Sequence, residues 1–212
     1  MKVYSSKEER INVISHAIGF LLSIVALVLL IKKANTYGNS QSVLSVTIYG
    51  MSLIVLYAAS TLFHSAKHGT LRKRFQIFDH AAIFVLIAGT YTPFALISLP
   101  DSTGKPLFII VWTFALVGII LKLFFTGKYD TISTILYVLM GWMIVFVIKP
   151  LINNIALDGL YWLMAGGISY TIGAILYSLK RVKYNHATFH MFVLAGSYCH
   201  FHSIYFYVLT TQ

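Results

Sequence analysis

Four separated groups of polar residues in this chain have types and spacings that could do chemistry. His186 and His190 stand four apart at the head of a strongly apolar run, HATFHMFVLAGSYCHFH. On a helix their imidazoles fall on one face, a single turn apart. That spacing suits a shared metal ion, and a third imidazole from a neighbouring helix would leave one tetrahedral position open for water. Ser60 and His64 have the same spacing in STLFH, Asp79 opens a further apolar run, and Glu9, Asn12 and His16 follow i, i+3, i+7 spacing near the N-terminus. Metal ligation competes with two other readings of the His186/His190 pair: buried histidines hydrogen-bonded between helices, and a proton relay. Glu9, Asn12 and His16 read either as an interfacial helix start or as residues that orient metal ligands from behind.

His200 and His202 lie in the same run and limit the metal reading. His200 is about 40° from His186 around the helix, yet roughly 21 Å further along it, so the two cannot share an ion. His202 points to nearly the opposite face. Both are expected to be interhelical hydrogen-bonding or headgroup-level residues. His68, in a basic loop, and His80, about 100° around the helix from Asp79, carry no expected role.

The elements that must position these groups follow from composition. The chain has 212 residues, 58% hydrophobic and 10% charged, with a mean hydropathy of +0.79. That is more apolar material than a soluble domain of this size can hide. A spanning helix needs roughly 20 apolar residues, and seven such windows lie near residues 11–32, 43–66, 77–99, 107–126, 131–151, 159–180 and 187–210. The expectation is an all-α membrane protein, a single seven-transmembrane helix bundle over residues 1–212, with no internal repeat and no separate soluble domain. Lys2, Lys7 and Arg10 precede the first window, but no A-x-A-like site follows it, so a retained span is expected rather than a cleaved signal. Pro93 should kink the third span. Gly89, Gly166, Gly167, Gly173 and Gly196 should allow close helix approach. Cys199 stands alone, which excludes an internal disulfide and suggests a small buried hydrophobe.

A formal charge of +10 could suggest nucleic acid, but its distribution argues against that. With the N-terminus cytoplasmic, twelve of the sixteen Lys and Arg fall inside, and only Lys32, Lys33, Lys105 and Lys149 fall outside. The positive-inside rule then gives a cytoplasmic N-terminus and an external C-terminus. The expected setting is the cell membrane, multi-pass, with membrane lipids as partners. On this topology Ser60, His64, Asp79, His186 and His190 share one depth near the cytoplasmic face. Asp79 is the acid expected inside the hydrocarbon, where ionisable groups are costly and usually functional.

The combination Glu9-x2-Asn12-x3-His16, Ser60-x3-His64, Asp79 and His186-x3-His190 resembles the hemolysin III family, the bacterial branch of the progestin and adipoQ receptor (PAQR) superfamily, and the resemblance covers essentially the whole chain. It implies a seven-helix bundle with an intracellular N-terminus. It also implies zinc held by His64, His186 and His190, with Asp79 and Ser60 holding a water beside the metal. The chain lacks the long N-terminal region and extended C-terminal tail of the eukaryotic branch, which argues against hormone-type ligand binding. The leading functional expectation is zinc-dependent hydrolysis of a lipid amide or ester, with Asp79 as proton acceptor and Ser60 positioning water or stabilising an oxyanion. The alternatives are a zinc-stabilised sensor without turnover, a membrane-permeabilising (cytolytic) protein as the family's name suggests, and a proton or ion carrier.

Overall fold

The computed structural model describes residues 4–67, 69–179 and 181–210, so Lys2, His68 and Lys180 lie outside the described residues. Among the described residues there is no strand. The described residues form seven helical rods: α1 (Ser6–Tyr37), α2 (Ser40–Ser65), α3 (Thr70–Pro93), α4 (Asp101–Phe125), α5 (Asp130–Gly141), α6 (Leu157–Ser178) and α7 (Asn185–Ser203). Three of them run on after a change of pitch. α3 widens into a π-turn at Phe94–Ser98, α5 continues through a 3-10 stretch (Trp142–Val147) into Ile148–Ile152, and α7 continues through Ile204–Val208. Among the described residues, α1 to α6 with these extensions are long and apolar enough to cross a membrane. α7 falls short of that standard, because His186, His190, His200 and His202 dilute its apolar run.

Which side chains face inward shows that the bundle is built for lipid. On α1 the buried face is Glu8, Asn12, Ser15, His16, Gly19 and Ser23, while Ile11, Ile14, Ile18, Leu21, Leu22 and Val25 are exposed. A soluble helix would reverse that arrangement. The polar interior costs little because its hydroxyls return to the backbone: Ser15 Oγ donates to the Asn12 carbonyl (3.0 Å) and Ser23 Oγ to that of Phe20 (2.7 Å). Successive rods α1–α2, α2–α3, α3–α4 and α6–α7 pack side by side, and α1 closes against α7. α3 is the most enclosed of the spans and α5 the least.

Pro93 has no N–H to return to the Gly89 carbonyl, and the helix widens directly after it, Leu99 N–H donating to the Phe94 carbonyl at 3.1 Å. The break in α5 is tied to the same region. Tyr91 Oη donates to the Gly141 carbonyl (2.7 Å) and accepts from Ile144 N–H (2.8 Å). Close approach is real at Gly89, where a Cβ would lie 2.3 Å from Ser52 Oγ, and at Gly166, where it would lie 2.2 Å from the His200 ring. Gly167 does not share it, since Trp142 stands at an ordinary 3.9 Å.

Two local expectations are corrected. Asp79 does not open its helix: α3 begins at Thr70. Arg72, Lys73 and Arg74 lie ahead of the apolar window at 77–99, but arginine and lysine are good helix formers and carry the helix upstream of it. Glu8 and Glu9 form the first turn of α1, after Ser5, whose Oγ accepts from Glu8 N–H (3.2 Å). Cys199 is only half-buried, on the flank of α7 rather than its inner face.

Candidate metal centre

The site is assembled where α2 ends and α7 begins. His64 is the penultimate residue of α2, His186 is the second residue of α7, and His190 follows one turn later. All three are buried, and among the described residues they are the group of histidines, cysteines and acids close enough to hold a common ion. His186 Nε2 lies 3.0 Å from His64 Nε2 and 3.1 Å from His190 Nε2.

The outer ring nitrogens decide where the hydrogens sit. His64 Nδ1 is 2.6 Å from a carboxylate oxygen of Glu9, which can only accept, so this Nδ1 carries a hydrogen and, in the neutral ring, Nε2 presents a lone pair. Ser15 Oγ spends its hydrogen on the Asn12 carbonyl, so it accepts from His190 Nδ1–H at 3.4 Å, and His190 Nε2 is also a lone pair. Both lone pairs point at His186 Nε2. One hydrogen there can serve only one of them. A cation among the three nitrogens satisfies all of them. Tetrahedral zinc–imidazole bonds of about 2.0–2.1 Å would place the nitrogens about 3.3 Å apart, a small expansion of the two separations from His186 Nε2.

The surrounding residues hold the rings in place. Glu9 also pairs with the Arg72 guanidinium, which in turn donates to the Phe63 (3.2 Å) and Ala66 (2.8 Å) carbonyls at the end of α2. Arg72 therefore caps the helix that delivers His64 and neutralises the acid that orients it. Tyr4 stacks on His186 at 4.6 Å with its hydroxyl 3.1 Å from Nδ1. Burial pushes the Tyr4 phenol well up from its usual range, with smaller contributions from Tyr177 and nearby acids, so it remains a neutral hydroxyl. His16 lies flat against His190, ring centres 3.5 Å apart. The α1 stripe thus faces the cluster, and Ser15, between Asn12 and His16, belongs to it although the spacing did not single it out.

Ser60 and Asp79 meet the cluster across an internal cavity of about 170 Å³, which His16, His186 and His190 also line. Ser60 Oγ is buried without a hydrogen-bond partner of ordinary geometry, and the Asp79 carboxyl is its polar neighbour. The cavity continues between α3, α5, α6 and α7 along apolar walls such as Leu56, Leu86 and Phe94, and reaches His200 at its far end. The five expected residues His64, Ser60, Asp79, His186 and His190 are therefore brought together at one end. Sequence reasoning missed Tyr4, Ser15, Arg72 and Lys122, and gave no role to His80, which lines the same cavity. Arg72 and Lys122 were hidden because a basic residue at a span end reads as an orientation signal.

The model of the haemolysin-III-related family matches residues 4–201. The chain belongs to that family. A hemolysin-3 from Bacillus cereus is 48% identical over 97% of this chain and 94% of its own length. A hemolysin-3 homolog from Bacillus subtilis is 45% identical over 97% and 96%. At greater distance, the human monocyte to macrophage differentiation factor is 27% identical over 95% of this chain and 84% of its own. No solved structure matches. The haemolysin III protein described here is thus a multi-span membrane protein whose buried three-histidine cluster is compatible with a metal ion.

Proposed function

We propose that this haemolysin III protein is a zinc-dependent hydrolase of lipid amides or esters, a seven-span protein of the cell membrane with its N-terminus and metal centre on the cytoplasmic side. The observation that carries the reading is the convergence of three imidazoles, His64 and His190 Nε2 each at 3.0–3.1 Å from His186 Nε2, beside the buried Ser60 hydroxyl and its neighbour, the Asp79 carboxyl, on the wall of an apolar cavity. His64, His186 and His190 would hold the ion, three neutral nitrogen donors with no thiol among them. Zinc there supplies a Lewis acid that polarises a scissile carbonyl and lowers the pKa of a water toward about 7. The chain's residues do the remaining work. Asp79 takes up the proton of the attacking water on a carboxylate oxygen and returns it to the leaving amine or alkoxide. Ser60 Oγ donates to the oxygen that gains charge. The apolar walls accept the acyl chain and exclude bulk water.

The test is incubation of zinc-loaded protein with lipid amides and esters, with released carboxylate read by mass spectrometry. Asp79→Asn is expected to keep its metal and lose about 100-fold or more in rate. A wild type that carries zinc yet releases no carboxylate overturns the hydrolase. That result would favour a second reading, in which the ion only fastens α2 to α7, and which the ties from α1 and Tyr4 to all three outer ring nitrogens support.

A further inference from the structure

Lys122 is a cation buried in the lipid-facing half of the bundle with no partner to explain it. It stands in the last turn of α4, where a lysine ordinarily extends its ammonium outward to the headgroups. Here its neighbours Leu121, Leu123, Phe124 and Phe125 face out, and Lys122 itself is turned inward and is 3% exposed. Its ammonium makes no hydrogen bond and no ion pair among the described residues. Its nearest aromatic contact is distant, with Nζ 6.0 Å from the centre of the Tyr137 ring. Asp130, at the start of α5, supplies the opposite charge it senses, yet no ion pair within 4 Å joins the two, and Asp130 Oδ1 is buried without a hydrogen-bond partner. A lysine that served only to tie α4 to α5 would close that gap.

The voids around it give Lys122 a different use. It lines the large cavity that also holds Ser60, Asp79, His186 and His190. It also lines a second cleft of about 140 Å³ between α4 and α5, whose other walls include Leu121, Phe125, Ile132 and Leu136. Lys122 and Ser133 are the residues common to both voids. α5, on the other side of the cleft, is the least enclosed span of the bundle. An ammonium is thus held where an apolar cleft open to lipid meets an apolar chamber. A chain entering by that route would carry its headgroup past it.

We propose that Lys122 binds the anionic headgroup, phosphate or carboxylate, of a lipid whose chain enters the chamber through the cleft between α4 and α5. The assignment stands apart from metal binding and turnover, because it requires neither.

The test uses the full chain in phosphatidylcholine nanodiscs and three probes that share one alkyl chain: hexadecyl phosphate, palmitate and hexadecanol. Wild type is expected to prefer at least one anion over the alcohol by about tenfold, the size of one charge-assisted hydrogen bond. Preference for the phosphate alone identifies a phospholipid source, and preference for palmitate alone a free carboxylate. Lys122→Met should abolish the preference while hexadecanol still binds, and Lys122→Arg should restore it. Equal binding of all three probes by wild type overturns the proposal, as does a preference that survives Lys122→Met. If Lys122→Met and Lys122→Gln both lose hexadecanol as well, the lysine supports the bundle and the proposal fails. The preference should also persist in chelator-treated protein. Its disappearance there would assign the anion to the metal centre and overturn the role of Lys122.

Discussion

At the head of α7, His186 and His190 meet His64 from α2, and each ring has a partner for its outer nitrogen in Tyr4, Ser15 or Glu9. At its foot, His200 gives Nε2–H to the Leu163 carbonyl at 3.1 Å, its Nδ1 has no partner, and His202 lies 4.2 Å from the Trp162 ring. The two ends share a helix, a residue type and a cavity wall, yet among the described residues only the head gathers a group that could hold an ion. A second helix carrying an imidazole makes the difference, together with a third element that fixes each ring by its outer edge. Between the ends, Tyr57 and Tyr170 both bond Ser197 Oγ, at 2.8 and 2.7 Å, so the middle of α7 is anchored independently of either.

The contrast breaks most plainly at the ligands. His190→Ala is expected to take the purified protein from about one zinc per chain to near background, because two imidazoles from different helices form a weak site. His200→Ala should leave the metal content unchanged. Elemental analysis of both variants, purified identically, checks the pair, and equal zinc in His190→Ala and wild type would remove the metal from the site altogether.

The sequence made the head of α7 legible and left its surroundings obscure, for physical reasons. Spacing of four on a helix fixes relative direction, so Ser60 with His64 and His186 with His190 could be read without a structure. That α2 would deliver His64 to His186 followed from span order and the family resemblance together. Arg72 and Lys122 could not be read this way. Whether a basic residue at a span end turns outward to headgroups or inward to a carboxylate depends on helix rotation, and rotation is set by neighbours distant in the chain. Tyr4 was equally hidden, since it precedes the first helix and no periodicity applies to it. His200 was expected to be an interhelical hydrogen-bonding or a headgroup-level residue, and its bond to the Leu163 carbonyl makes it the former. That it also closes the far end of the cavity depends on Gly166, a relation between two helices that neither segment displays alone.

The comparison sharpens at the second level of support. Glu9→Gln removes the charge that faces both His64 and Arg72, while keeping a side chain of the same length. His64 Nδ1–H then meets a neutral acceptor, and Arg72 keeps only the Phe63 and Ala66 carbonyls. Zinc affinity measured by competition with a chelator is expected to fall about 10- to 100-fold, the range found for residues that orient metal-ligating histidines. His202→Gln, at the foot, should leave that affinity where it was. Unchanged affinity in Glu9→Gln would mean that the α2 backbone alone sets the ring.

The smallest effect is expected at the foot itself and tests whether its order is packing rather than ligation. A Cβ on residue 166 would lie 2.2 Å from His200 Cδ2 and 2.3 Å from Nε2, too close for any ordinary contact. In Gly166→Ala the ring must move and weaken its bond to the Leu163 carbonyl, at a cost of about 1–3 kcal/mol in unfolding measured in detergent. Zinc content should not change, since the three-histidine cluster lies about three helical turns away. The double variant Gly166→Ala/His200→Ala removes the ring that the new methyl strikes. It should therefore be no less stable than His200→Ala alone, to within about 0.5 kcal/mol, which makes the two substitutions strongly non-additive. Additive losses would instead place the strain of Gly166→Ala in the α6 backbone, and the close approach of α6 to α7 would then not be what fixes His200.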